Sequence, residues 1–136
     1  MSELPVPAPL VTSANERFWA ATAAHRFELQ RCSACGTVVW FPQRHCPSCW
    51  TTEFDLFDAV GTGTVYSFTV IHRGNGDFRN AAPFVLAYVE LAEGPRVLTN
   101  VVDCDPSTVH IGMAVEMVWH DTGEGNSLYR FRPATR

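Results

Sequence analysis

The sequence predicts a mainly β protein with an N-terminal helix, a small cysteine-rich ribbon and a five-stranded antiparallel barrel. Three observations predict it. Four of the five cysteines stand as two C-x-x-C pairs, Cys32/Cys35 and Cys46/Cys49, with ten residues between the pairs. Downstream, β-branched and aromatic residues alternate with polar ones in runs cut by Gly, Pro, Asn and Asp. Upstream, a helix-favouring stretch follows a helix start signal.

Residues 1 to 12 contain three prolines and no periodic pattern, so an extended leader is expected there. "SANE" then fits a capping box, with Ser13 as N-cap and Glu16 three positions on, ahead of "RFWAATAAHRF". The helix is expected over about residues 14–26. "ELQRC" reads as a strand leading into the first cysteine turn, and "VVWFPQRHC" as the hairpin that returns to the second. Past the ribbon, "GTVYSFTVIHR" has strand periodicity, with Tyr66 and Phe68 expected on one face. "FVLAYVEL" and "RVLTNVVD" follow as two strands joined by "AEGP". Asp105 as N-cap with Pro106 behind it predicts one helical turn before the strand "AVEMVWHD", and "LYRFRP" closes the chain. Five strands with short connections and one helical crossover suit a small barrel, and the OB-fold leads the candidates. The expected division is residues 1–28 as leader and helix, 29–53 as ribbon and 54–136 as barrel.

The paired cysteines match a tetrahedral thiolate site, in which each tight turn supplies two sulfurs. A structural zinc ion held by Cys32, Cys35, Cys46 and Cys49 is the default reading. An iron site of the rubredoxin type uses the same four thiolates, and sulfur softness does not separate the two metals. Disulfides would need an oxidising compartment, and "MSELPVPAPLVTS" has no basic region followed by an apolar run. Four protein ligands leave no open position on the metal, so the site is expected to hold structure.

The wider composition narrows the function classes. At 136 residues and 46% hydrophobic content, the chain can build one ordinary core plus a small satellite. No apolar run approaches the roughly 18 residues of a membrane-spanning helix, so a soluble, cytoplasmic protein is expected. The net charge is -4 and every basic residue is arginine. Basic blocks that would mark a nucleic-acid footprint are absent. Cys104, the cysteine outside the ribbon, lies between Asp103 and Asp105, whose charges disfavour a thiolate. The five histidines are scattered singly, and no catalytic residue is expected.

The order of "RFWAA", "LQRCSACGTVVWFPQRHCPSC", "GTVYSFTVIHR", "APFVLAYVELAEGPRVLTNVV" and "IGMAVEMVW" resembles, over nearly the whole chain, a zinc-ribbon and OB-fold family associated with acyl-CoA metabolism. The resemblance implies a rubredoxin-like zinc ribbon in a non-catalytic accessory subunit. Its partner would be a thiolase-like or lipid-transfer-protein-like enzyme, acting in lipid, steroid side-chain or secondary acyl metabolism, whose acyl-CoA site it helps to form. It further implies that the helix, with Phe18 and Trp19, and the barrel border the pantetheine arm. Arg73, Arg79 and Arg96 are the candidates for the coenzyme A phosphates through charge-assisted bonds. One local departure is Trp50, which follows Cys49 where Gly often follows such a turn. The alternative class is single-stranded nucleic-acid binding, with Tyr66 and Phe68 as stacking platforms, but an acidic chain lacks the electrostatic attraction this needs.

Overall fold

A computed structural model describes residues 4–134. The helix α1 spans Glu16–Thr22 and is shorter than expected at both ends. At its start the N-cap is Asn15, not Ser13: the Asn15 carboxamide accepts from Thr12 N at 2.7 Å and donates to Leu10 O at 3.2 Å, tying helix to leader. At its end His25 takes the left-handed conformation (φ 58°). His25 N then donates to Thr22 O and Arg26 N to Ala21 O, a Schellman closure that stops the helix. Phe18, Trp19, Ala21 and Thr22 form its buried face.

The ribbon sheet consists of β1 (Glu28–Cys32), β2 (Val38–Val39) and β3 (Phe54–Asp58), in the order β2-β1-β3. β3 was not expected from "FDLFD", which has no clean alternation. Its strand character comes from a five-residue antiparallel register with β1, from Glu28 opposite Asp58 to Cys32 opposite Phe54. Residues 54–58 therefore hydrogen-bond to the ribbon, although they lie beyond the expected end of that unit.

The barrel is built from β4 (Thr62–Ile71), β5 (Phe84–Leu91), β6 (Arg96–Val101), β7 (Ala114–Asp121) and β8 (Ser127–Pro133). It closes in the order β4-β5-β6-β8-β7, with β7 returning to β4, as in an OB-fold. The fully antiparallel barrel is corrected: β6 and β8 run parallel, pairing at Val101 and Phe131. The reason is parity. Alternating directions cannot close around an odd number of strands, so a five-stranded ring carries at least one parallel neighbour pair. Val65, Val85, Val89, Leu91, Val97, Val101, Val115 and Phe131 fill the interior, at alternate positions as the pleat requires. Gly63 allows the sharp approach of β4 to β5, since a Cβ there would strike Glu90 O and lie 2.9 Å from Val89 Cγ1. A bulge between Val65 and Ser67 shifts the register of β4. Tyr66 and Phe68 are consequently not a shared platform: Tyr66 stays exposed while Phe68 packs on the core.

The helix, ribbon and barrel meet in one aromatic cluster. Phe18 lies 5.0 Å from Trp19, 5.1 Å from Phe27 and 4.8 Å from Trp40 between ring centres, and Trp19 stacks on Tyr129 of β8 at 6.2 Å. Buried Thr22 adds a clip, its hydroxyl donating to Trp19 O at 2.6 Å and accepting from Ser127 N at 3.0 Å. His25 stacks on Trp119 at 5.5 Å and bonds Asp121 at 2.8 Å. No helix among the described residues is long and apolar enough to cross a membrane.

Candidate metal centre and ligand residues

The two cysteine turns are copies of one another. In the first, Cys32 N donates to Thr37 O and Gly36 N to Cys32 O, both at 2.9 Å. In the second, Cys46 N donates to Thr51 O at 2.9 Å and Trp50 N to Cys46 O at 2.8 Å. Each turn needs a left-handed residue after its second cysteine, and the φ angles are 77° at Gly36 and 68° at Trp50. The missing glycine has therefore not changed the second turn. Trp50 takes the strained conformation, and its side chain, 73% exposed, projects into solvent beside His45.

These turns bring the four sulfurs within 4.8 Å of one another. Cys32 Sγ lies 3.5 Å from Cys49 Sγ, and Cys35 Sγ lies 3.6 Å from Cys46 Sγ. A tetrahedron with metal–sulfur bonds of about 2.3 Å has edges of about 3.8 Å, so the donor set fits a four-coordinate thiophilic ion. Cys32 and Cys46 are buried and Cys35 and Cys49 exposed, which places the site at the ribbon surface with one side sealed.

Two threonines that the spacing argument passes over contribute here. The Thr51 hydroxyl, 3.4 Å from Cys32 Sγ, together with the Cys35 amide, lowers the Cys32 thiol to about 6. The Thr37 hydroxyl, 3.1 Å from Cys35 Sγ, lowers that thiol as well. At Cys49 the Thr51 amide pulls downward, but the neighbouring sulfurs of Cys32, Cys35 and Cys46, with burial, push it to about 11. Accumulating negative charge opposes the last ionisation, and a bound dication would relieve that repulsion. A zinc ion would supply a covalent cross-link between the turns, with every coordination position filled by protein.

The other candidate residues are dispersed. Phe18 and Trp19 are 3% and 8% exposed, so both lie within the aromatic cluster and neither presents an open face. Arg73 and Arg79 are exposed in the loop from β4 to β5. Arg96 opens β6 and pairs with Glu90 near the far end of β5, about 20 Å along the strand from that loop. It bonds Glu90 at 3.0 Å and covers the Tyr66 ring at 3.8 Å. Cys104 is partly buried, and its thiol is pushed upward first by burial, which outweighs the lowering bond from Thr108, with smaller upward contributions from Asp103 and Asp105.

Known proteins reproduce this architecture. Residues 19–55 match the family model of the ChsH2 rubredoxin-like zinc ribbon domain, and residues 58–120 that of the ChsH2 C-terminal OB-fold domain. A DUF35 domain-containing scaffold protein of Methanocaldococcus jannaschii is 43% identical over 76% of this chain and 78% of its own length. The probable enoyl-CoA hydratase alpha subunit of Thermomonospora curvata is 38% identical over 94% of this chain but only 40% of that longer protein. A benzoylsuccinyl-CoA thiolase subunit BbsA of Geobacter metallireducens is 37% identical over 52% of this chain and 47% of that one. In a solved structure described as the Ltp2-ChsH2(DUF35) aldolase, one chain superposes with a TM-score of 0.85 at 37% identity, over 94% of this chain and all of that one. The chain therefore belongs to the ChsH2/DUF35 family of proteins that join a rubredoxin-like zinc ribbon to an OB-fold.

Proposed function

We propose that this chain is a non-catalytic accessory subunit that docks on a thiolase-like enzyme and helps to form its acyl-CoA site. The observation that carries the reading is the match, over 94% of this chain, to one chain of the Ltp2-ChsH2(DUF35) aldolase. The name of BbsA as a thiolase subunit points to the same kind of partner. The site chemistry is consistent with an accessory role. The four sulfurs saturate a tetrahedral ion, and the Cys104 thiol is held protonated, so neither a Lewis acid with an open position nor a thiolate nucleophile is on offer.

In this reading zinc fixes the ribbon, the ribbon and aromatic cluster fix α1 against the barrel, and the assembled surface meets the enzyme. Phe18 and Trp19 act from within as the packing that shapes this surface. Arg73 and Arg79 are proposed as the phosphate contacts, since both guanidinium groups are exposed on one loop. Arg96 would have to leave Glu90 to join them. The nucleic-acid alternative gains nothing from the barrel face, where Arg96 covers Tyr66 and Phe68 turns inward.

Co-expression with a thiolase-like enzyme from the same source tests the proposal. The two chains are expected to co-purify, and acyl-CoA cleavage or condensation by the enzyme is expected to fall at least tenfold without this subunit. Turnover by the isolated chain, lost in Cys104→Ser, would overturn the accessory role. An enzyme fully active alone and indifferent to the subunit would overturn the partnership.

A further inference from the structure

Beside the barrel, the N-terminal strap encloses a cavity of about 510 Å3, within the range of roughly 300–1,000 Å3 common to small-molecule sites. Leu4 and Val6 of the strap form one wall, and Ala81, Phe84, Val101 and Cys104 form the other. Prolines at positions 5, 7 and 9 stiffen the strap. It is pinned where Pro5 O accepts a 2.6 Å bond from Arg130 Nη2. Arg130 is only 2% exposed, and its Nη1 lies 2.8 Å from His120 Nδ1.

The lining sorts ligands by charge. Arg130 directs its donors to the strap and to His120, and among the described residues no arginine lines the cavity; His120 does line it, with its Nδ1 turned to accept from Arg130 Nη1. Asp103, exposed to solvent, also borders the cavity. An entering phosphate or carboxylate would lose hydration and meet Asp103 without a compensating arginine, which is unfavourable on both counts. Burial pushes the Cys104 thiol up, away from its charged form. An uncharged apolar group meets none of these penalties and gains burial against the aliphatic walls.

We infer that this cavity binds an uncharged apolar body, such as an alkyl or alicyclic group, with the N-terminal strap as its removable wall. The inference goes beyond the partner reading, because this chain alone supplies both walls and neither belongs to the metal centre. Coenzyme A itself is excluded from the lumen by its phosphates.

Cys104 provides the readout. Its alkylation by N-ethylmaleimide is followed by intact mass on the zinc-loaded full chain, with Cys104→Ser giving the background from the ribbon cysteines. Octan-1-ol is expected to slow the reaction at least tenfold, and octanoate or coenzyme A at the same concentration less than twofold. Val6→Trp, which fills the lumen from the strap and changes no barrel residue, is expected to abolish the octanol effect with zinc content and circular dichroism unchanged. Three results would each overturn the inference: no protection by octan-1-ol, equal protection by octanoate, or octanol protection that survives Val6→Trp. The assay contains no partner, so its failure is separable from failure of the docking reading.

Discussion

The ribbon and the barrel solve the same problem with different chemistry. The barrel strands run from six to ten residues and bury an interior of valine, leucine and Phe131. The ribbon strands have five, two and five residues, and two of its buried side chains, Cys32 and Cys46, are sulfur donors. An apolar core spreads its stabilisation over many contacts, whereas a metal site concentrates it in four bonds. The contrast shows where each unit is vulnerable: the ribbon to a single ligand, the barrel to the loss of packed volume.

The largest expected effect follows from that concentration. Cys46→Ser should release the bound metal, since structural zinc contributes apparent binding free energy on the order of 10 kcal/mol. Ribbon amides should then lose hydrogen-exchange protection while barrel amides keep theirs. Parallel loss in both units would break the comparison. Next in size, Phe131→Ala should cost about 3–5 kcal/mol in urea unfolding of the barrel, from lost burial and a cavity, with metal content preserved. Metal loss in that variant would mean that the packing joining the two units transmits the defect to the ribbon.

A smaller change sharpens the picture of the ribbon. Trp50→Gly should relieve the left-handed backbone and stabilise the second turn by about 1 kcal/mol, read as tighter zinc retention against a competing chelator. Unchanged or weaker retention would show that the exposed indole, in contact with His45, offsets the strain. The smallest effect concerns the link between the helix end and β7. Asp121 is held below its ordinary value of 3.8, first by its bond from His25. A depressed carboxyl pKa stabilises the fold fully above the ordinary value, and that contribution is lost as pH falls through the folded-state value. Asp121→Asn should therefore lower the melting temperature slightly at pH 5 and not at pH 2. A deficit that persists at pH 2 would assign the effect to packing.

The same contrast explains what could be read from the sequence. Spacing alone picked out the four cysteines whose sulfurs the fold brings together, because two C-x-x-C turns can deliver sulfurs in few other ways. Alternation located all five barrel strands, and Asp105 with Pro106 located the short turn at Pro106–Thr108, where the Asp105 carboxylate accepts from Ser107 N. Features decided by non-local contacts were not visible. β3 exists because β1 offers an edge, Phe68 turns inward because a bulge shifts β4, and Asn15 caps α1 because the leader lies within reach. The parallel pair was deducible from the odd strand count, and it was missed because strands were read singly. The cavity needed the position of the strap, which no local pattern encodes.

The parallel contact has one further consequence. Every other neighbour pair in the barrel shares three to eight residues in register, while β6 and β8 meet at Val101 and Phe131 alone. A 2.7 Å bond from Val102 N to Phe131 O and a 2.9 Å bond from Thr99 Oγ1 to Tyr129 O reinforce that contact. Mechanically, the barrel is a rolled strip fastened by a narrow clasp. Local opening is easiest where the fewest bonds must break together. Because Val101 and Val102 also border the strap cavity, the clasp and one wall of that space are built from the same residues.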